Sequence, residues 1–175
     1  MKVRIAGIVK ESVVDGPGLR LVIFTQGCPH HCPGCHNPDT HDPEGGRIID
    51  TSEIMEAVNK ARLIRGVTFS GGEPFMQAKP LAYLAGQIKA QGLNIVTYSG
   101  FVFEQLLAMA VNRPSVRELL YKTDILIDGP FHADKRDLRL AFRGSANQRL
   151  IDVSGSLQQG RVVLWRDMES ICINA

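Results

Sequence analysis

The chain has 175 residues, 44% of them hydrophobic, with 20 basic and 18 acidic side chains and a formal charge of +2. That length suits one domain with a real core and is tight for two, so a single domain over 1–175 is expected, and the hydrophobic content excludes a disordered chain. With no basic block and no apolar run long enough to cross a bilayer, neither nucleic acid nor a membrane is an expected partner.

The opening residues, Met1-Lys2-Val3-Arg4-Ile5, lack the apolar stretch and small-residue cleavage site of a signal peptide, so a cytoplasmic location is expected. Residues 3–9 and 19–25 read as strands, the second nearly continuously apolar, as a strand buried on both faces would be. Between them Asp15-Gly16-Pro17-Gly18 is a strong turn signal. Residues 27–46 read as a long loop holding four prolines, three of the four cysteines and four of the five histidines. A loop of that length in a compact domain usually carries function.

Asp50-Thr51-Ser52-Glu53 marks a capped helix start, followed by Ile54, Ala57, Val58 and Ala61 at helical spacing. Residues 67–69 form a short strand that ends in Ser70-Gly71-Gly72-Glu73-Pro74. The next helix has Pro80 in its first turn, an apolar face of Leu81, Leu84, Ala85 and Ile88, and Gly92 as its stop. Residues 95–98 make a core strand closed by Ser99-Gly100. Phe103, Leu106, Leu107 and Ala110 line one helix; Pro114 breaks it, and Val116, Leu119 and Leu120 belong to a second. Ile125-Leu126-Ile127 is a strand ending in Asp128-Gly129-Pro130, and 162–164 is expected to be the last strand. Strands alternating with helices imply an α/β fold with a mostly parallel sheet. Polar or glycine-rich clusters follow the carboxyl ends of four successive strands, the edge where such sheets bind ligands.

Cys28, Cys32 and Cys35 stand at x3 and x2 spacing in a tight loop, as thiolate ligands of an iron–sulfur cluster can. Three local thiolates on a 4Fe–4S cube leave one iron open to a small chelating molecule. A Cys3His zinc site, with His30, His31, His36 or His41 as fourth ligand, is the alternative that thiolate chemistry also allows. Cys172 has no motif around it and reads as a small buried apolar residue.

The cysteine spacing resembles the cluster motif of radical S-adenosylmethionine enzymes, and Ser70-Gly71-Gly72-Glu73-Pro74 resembles their methionine-binding segment. The resemblance implies that Cys28, Cys32 and Cys35 hold the cluster and that S-adenosylmethionine chelates the open iron. One electron then cleaves the sulfonium to methionine and a 5′-deoxyadenosyl radical. On this reading Ser70, Gly71 and Gly72 contact the cosubstrate, the two glycines letting backbone approach it closely, and Glu73 helps hold its amino group; otherwise the glycines make an ordinary turn and Glu73 is a solvated carboxylate. Gly34 stands where many such enzymes carry an aromatic residue against the adenine, so backbone at Gly34 and the side chain of His36 are taken as contacts instead. Ser99 and Asp128 are candidate contacts to the ribose or a cation, with turn-capping as the other reading. Asn147 and Arg149 are open between site and structural roles, and His30, His31 and His41 are expected on the loop surface.

Val14-Asp15-Gly16-Pro17-Gly18-Leu19-Arg20 and Cys35-His36-Asn37-Pro38-Asp39-Thr40-His41 are similar to segments of the glycyl-radical-enzyme activases. The short chain, Cys32-Pro33-Gly34-Cys35 and a late segment at 142–149 fit the subgroup whose partner is anaerobic ribonucleoside-triphosphate reductase. The resemblance implies hydrogen abstraction from a backbone glycine of that partner, a flavodoxin or ferredoxin as electron donor, and an open, partial barrel, since the chain is short for eight strands. Asp15 would face the partner's glycine loop, or else bond its own turn. A small-molecule radical enzyme such as 7-carboxy-7-deazaguanine synthase, and a non-enzymatic zinc module, are the competing functions.

Overall fold

The structure, a computed structural model, describes residues 1–166; Cys172 lies outside them. The strands are β1 (Lys2–Ser12), β2 (Arg20–Thr25), β3 (Arg47–Asp50), β4 (Gly66–Gly71), β5 (Asn94–Tyr98), β6 (Ile125–Asp128) and β7 (Arg149–Asp152). The helices are α1 (Thr51–Lys60), α2 (Ala78–Lys89), α3 (Phe103–Asn112), α4 (Pro114–Lys122) and α5 (Val153–Gln159). The strands form one open sheet in the order β3-β1-β2-β4-β5-β6-β7. β2, β4, β5 and β6 pair in parallel, while β1 runs antiparallel to β2 and β3, and β7 antiparallel to β6. Only β1 and β7 therefore oppose the common direction, and the sheet is mostly parallel, as expected.

The pleat divides the core. Leu21, Ile23, Val67, Phe69, Ile95 and Leu126 face the helices and pack with Ile54, Leu81, Leu84, Ile88, Leu106 and Leu119. Val96, Ile125 and Ile127 pack on the other face with Tyr98, Leu150 and Trp165. One face is thus covered by helices. The other is covered by loops, and that is where a site can open.

The helix starting at 51 is capped as its residues imply. The Asp50 carboxylate accepts from the Ser52 backbone N–H at 3.1 Å, and the Asp50 N–H donates to the Glu53 carboxylate at 3.0 Å. Pro80 lies in the first turn of α2, and Pro114 opens α4 where its missing N–H is not needed. The expected last strand at 162–164 is corrected: Leu164 makes only an isolated bridge to Ile151, and β7 is the edge strand. No helix among the described residues is long and apolar enough to cross a membrane.

Candidate active site

The shared strand direction brings four carboxyl ends to one edge, where a cavity of about 700 Å³ opens. Cys28, Cys32 and Cys35 line it together with Ser70, Gly71 and Gly72 at the end of β4, Ser99 and Gly100 after β5, and Gly129 after β6. Val13, Val14 and Asp15 reach it from the β1–β2 turn, and Phe131 and 138–144 from the β6–β7 connection.

The cysteine loop is folded back on its own root. Gly27 N–H donates to Thr40 O at 2.8 Å, Cys28 N–H to His41 O at 3.2 Å, and the Gln26 amide to the carbonyls of Asp39 and Asp42. Cys35 N–H closes a turn onto Cys32 O at 3.1 Å, and Cys35 Sγ accepts from Asn37 N–H at 3.3 Å. Such N–H···S bonds are among the features that set the potential of an iron–sulfur cluster. Burial pushes the Cys28 thiol pKa up, and the backbone N–H of His30 only partly offsets it. A thiol held neutral by burial becomes a ligand when a cation displaces its proton.

The donor set fits a 4Fe–4S cluster. Three thiols line one cavity, and among the described residues there is no fourth cysteine. Among the described residues no three His, Cys, Asp or Glu side chains are grouped as ligands of a single metal ion. Of the four loop histidines, His30, His36 and His41 line the same cavity, and each of the four has a partner of its own. His30 is bonded to Glu73, His31 and His41 meet edge to face at 5.0 Å, and His36 tilts against Phe131 at 4.9 Å.

Glu73 is placed differently from its sequence reading. Its side chain is 0% exposed and does not line the cavity. Its carboxylate accepts from Phe75 N–H (3.0 Å), Gly100 N–H (2.8 Å) and the Ser99 hydroxyl, and faces His30 Nε2 at 2.9 Å. With its lone pairs taken, it ties the cysteine loop to the ends of β4 and β5 rather than contacting a ligand. His30 is likewise not a loop surface residue: it is wedged between Glu73 and Phe101, ring centroids 4.5 Å apart, with a side chain 16% exposed.

The two glycines also have a structural reason. A Cβ on Gly72 would lie 2.4 Å from Gly27 O, and one on Gly71 2.7 Å from Phe24 Cα and Thr25 N. Gly72 N–H donates to Thr25 O and Glu73 N–H to Gly27 O, both at 2.8 Å. The β4 exit thus lies against the β2 exit with no room for side chains. Ser70, Gly71 and Gly72 still line the cavity that the cysteines line.

Asp128 is also corrected. It is 1% exposed, off the cavity wall, and bonded to Phe103 N–H at 2.7 Å and to the Arg149 guanidinium. It caps α3 and anchors Arg149, which reaches on to Glu104, so both residues are structural. Asn147 donates its amide to Pro130 O at 2.8 Å, while its Oδ1 is buried without a partner. Gly34, with φ +73°, is exposed and off the cavity wall; Phe131 passes 3.5 Å from where its Cβ would be and lines the cavity instead. Sequence reading missed Phe131, Phe24 and Tyr98, which supply the aromatic wall. Nothing around them in sequence marks them, except that Tyr98 ends its strand and Phe24 is the last residue but one of its own.

Residues 14–151 match the 4Fe-4S single cluster domain family. The anaerobic ribonucleoside-triphosphate reductase-activating protein of Escherichia coli (strain K12) is 33% identical over 144 residues, 78% of this chain and 90% of that protein. The protein of the same name from Enterobacteria phage T4 is 31% identical over 143 residues, 78% and 86% of the two chains. The pyruvate formate-lyase-activating enzyme of Staphylococcus epidermidis is 32% identical over 173 residues, covering 94% of this chain and 67% of that enzyme. Among solved structures, QueE from Escherichia coli superimposes at a TM-score of 0.45 with 17% identity, covering 57% and 53% of the chains, too distant to bear on fold or function.

Proposed function

We propose, from the premise that the chain belongs to the 4Fe-4S single cluster domain family and to the anaerobic ribonucleoside-triphosphate reductase-activating proteins within it, that it installs the glycyl radical of such a reductase. The chain is an enzyme of radical chemistry, and its cofactors are a 4Fe–4S cluster and S-adenosylmethionine. The observation that carries the proposal is one cavity lined both by three thiols and by the side-chain-free Gly71-Gly72 backbone. When bound, the cluster and S-adenosylmethionine supply the 5′-deoxyadenosyl radical that takes a hydrogen atom from the partner's backbone glycine.

The chain's own residues do the rest. Cys28, Cys32 and Cys35 hold the cluster as thiolates. Backbone at 70–72 binds the methionine end of the cosubstrate, with Glu73 fixing that backbone from behind. Ser99 donates its hydroxyl to Glu73 and accepts from Phe101 N–H, so it shapes the wall and has no proton left to give a ligand. Phe24, Tyr98, Phe131 and His36 close the cavity against water around the adenosyl group. Asp15 and exposed Val13 and Val14 form the rim that meets the partner's polypeptide. A flavodoxin or ferredoxin donates the electron, and the setting is the cytoplasm.

The test is anaerobic. The protein, reconstituted with iron and sulfide and mixed with reductant, S-adenosylmethionine and its reductase, is expected to yield 5′-deoxyadenosine and a glycyl radical visible by electron paramagnetic resonance. Changing Cys28, Cys32 or Cys35 to Ala is expected to abolish both. Turnover of a small molecule with no radical on the reductase would replace this function with that of a small-molecule radical enzyme.

A further inference from the structure

Arg20, the first residue of β2, is the largest fully buried side chain, and among the described residues no carboxylate is ion-paired with it. Burial lowers its pKa to about 10, which leaves it a cation at neutral pH. A buried charge with no carboxylate in direct contact is costly; Asp15 and Asp124 act on it only from a distance, and Val22 on its own strand and Val96 on β5 are apolar. The position therefore calls for a reason other than packing.

The reason lies in what the guanidinium gathers. Nε donates to Thr68 Oγ1 at 2.7 Å, Nη1 to Pro17 O at 3.0 Å, and Nη2 to Val67 O at 2.9 Å and Asn94 O at 3.3 Å. These acceptors belong to β4, to the start of β5 and to the turn before β2. The Thr68 hydroxyl, having accepted from Arg20, donates onward to Asp15 O at 2.8 Å. Gly16, at φ +129°, lies flat on the arginine stem, since a Cβ there would be 2.9 Å from Arg20 Cδ and 3.1 Å from Val96 Cγ2. The turn is thus held at Asp15 and Pro17 by one planar fork, and its Asp15 lines the cavity with its carboxylate fixed by the Ser12 hydroxyl at 2.5 Å. Lysine, a point charge on a flexible stem, cannot satisfy these acceptors together.

We propose that Arg20, acting through Thr68 and Pro17, is the positioning residue that sets Asp15 at the cavity rim to receive the partner's glycine-bearing segment. This rests on the activase reading above. Arg20 touches neither cosubstrate nor partner. Its loss impairs recognition of the polypeptide and spares cleavage of S-adenosylmethionine.

The experiment compares anaerobic holoenzyme carrying Arg20→Lys or Thr68→Val with the unmodified protein. Partner-free 5′-deoxyadenosine formation, and the S-adenosylmethionine concentration at half-maximal rate, are expected to stay within about twofold. The reductase concentration giving half-maximal glycyl radical is expected to rise about tenfold or more, with faster hydrogen exchange in the amides of 13–18. An unchanged reductase dependence, or a rise matched by the same rise for S-adenosylmethionine, overturns the proposal. If Arg20→Lys fails to fold, Thr68→Val decides, because it removes one hydroxyl of the relay and keeps the shape. If the unmodified protein forms no radical on the reductase, the activase reading fails on its own; exchange at 13–18 still decides whether Arg20 holds the turn, and unaltered exchange there overturns that too.

Discussion

The Glu73 carboxylate accepts three bonds from fixed backbone N–H groups and a hydroxyl, with His30 against it, in a place that water does not reach. Glu73→Gln keeps the shape but exchanges one acceptor oxygen for an NH2 that must face a donor. Hydrogen bonds to a charged group contribute roughly 1.5–3 kcal/mol each, so the variant is expected to lose about 3 kcal/mol of stability, read from its urea midpoint. The cysteine loop hangs from this carboxylate through His30, so iron retention after gel filtration is expected to fall as well. Full stability with weakened S-adenosylmethionine binding would instead return Glu73 to the ligand-contacting role its sequence position suggests. The cysteines and the glycine pair were legible because spacing and missing side chains are visible in one dimension. The inward turn of Glu73 was not, because its partners lie 26, 27 and 43 residues away, at Ser99, Gly100 and His30.

Among the elements, α1 carries its own start signal, and that signal titrates. Bonds from the Ser52 backbone and hydroxyl hold the Asp50 pKa down to about 2 from its ordinary 3.8. A carboxylate depressed on folding adds stability above its unfolded pKa, and the gain is lost as pH falls toward the folded value. Asp50→Ala is therefore expected to lower the urea midpoint at pH 7, and the gap to the unmodified protein is expected to close between about pH 4 and pH 2. A gap that persists into acid would mean that packing rather than charge is lost. The same Asp50 explains why β3 escaped notice. The four-residue strand Arg47–Asp50 buries only Ile49 and runs straight into the helix, so the cap signal masks it. β7 escaped for a related reason: it is four residues long, one of them fully buried, and its pairing with β6 is set by a connection of twenty residues from Gly129 to Gln148. The longer strands and helices carry enough period-2 or period-3.6 pattern to be read directly; short edge strands depend on pairing that one dimension does not display.

At the scale of the molecule, the sheet and helices form the rigid part, and the β6–β7 connection is a roof over the cavity attached largely by polar bonds. Gln148 is its staple. Its side-chain Oε1 accepts from Gly144 N–H (2.9 Å) and Ser145 N–H (3.2 Å), and its side-chain Nε2 donates to Gly129 O (3.0 Å), joining the two ends of the connection. Tyr98 OH adds a bond from β5 to Phe142 O at 2.8 Å. These attachments give the late segment 142–149 a physical reason where the sequence offered only resemblance. Gln148→Ala removes three bonds at about 0.5–1.5 kcal/mol each, and the loss falls on the roof, which is a local opening unit with few apolar contacts to the core. Since 1.4 kcal/mol is a factor of ten in an opening equilibrium, trypsin cleavage at Lys135, Arg136 or the highly exposed Arg139 is expected to speed up roughly tenfold or more, while the global urea midpoint moves little. Retention of S-adenosylmethionine is expected to weaken in the same variant, because the roof supplies Phe131 and 138–144 to the cavity wall. If instead the global midpoint drops in step with the cleavage rate, the roof and the sheet unfold as one unit, and the cavity cannot open to a partner's chain without unfolding the protein that holds it.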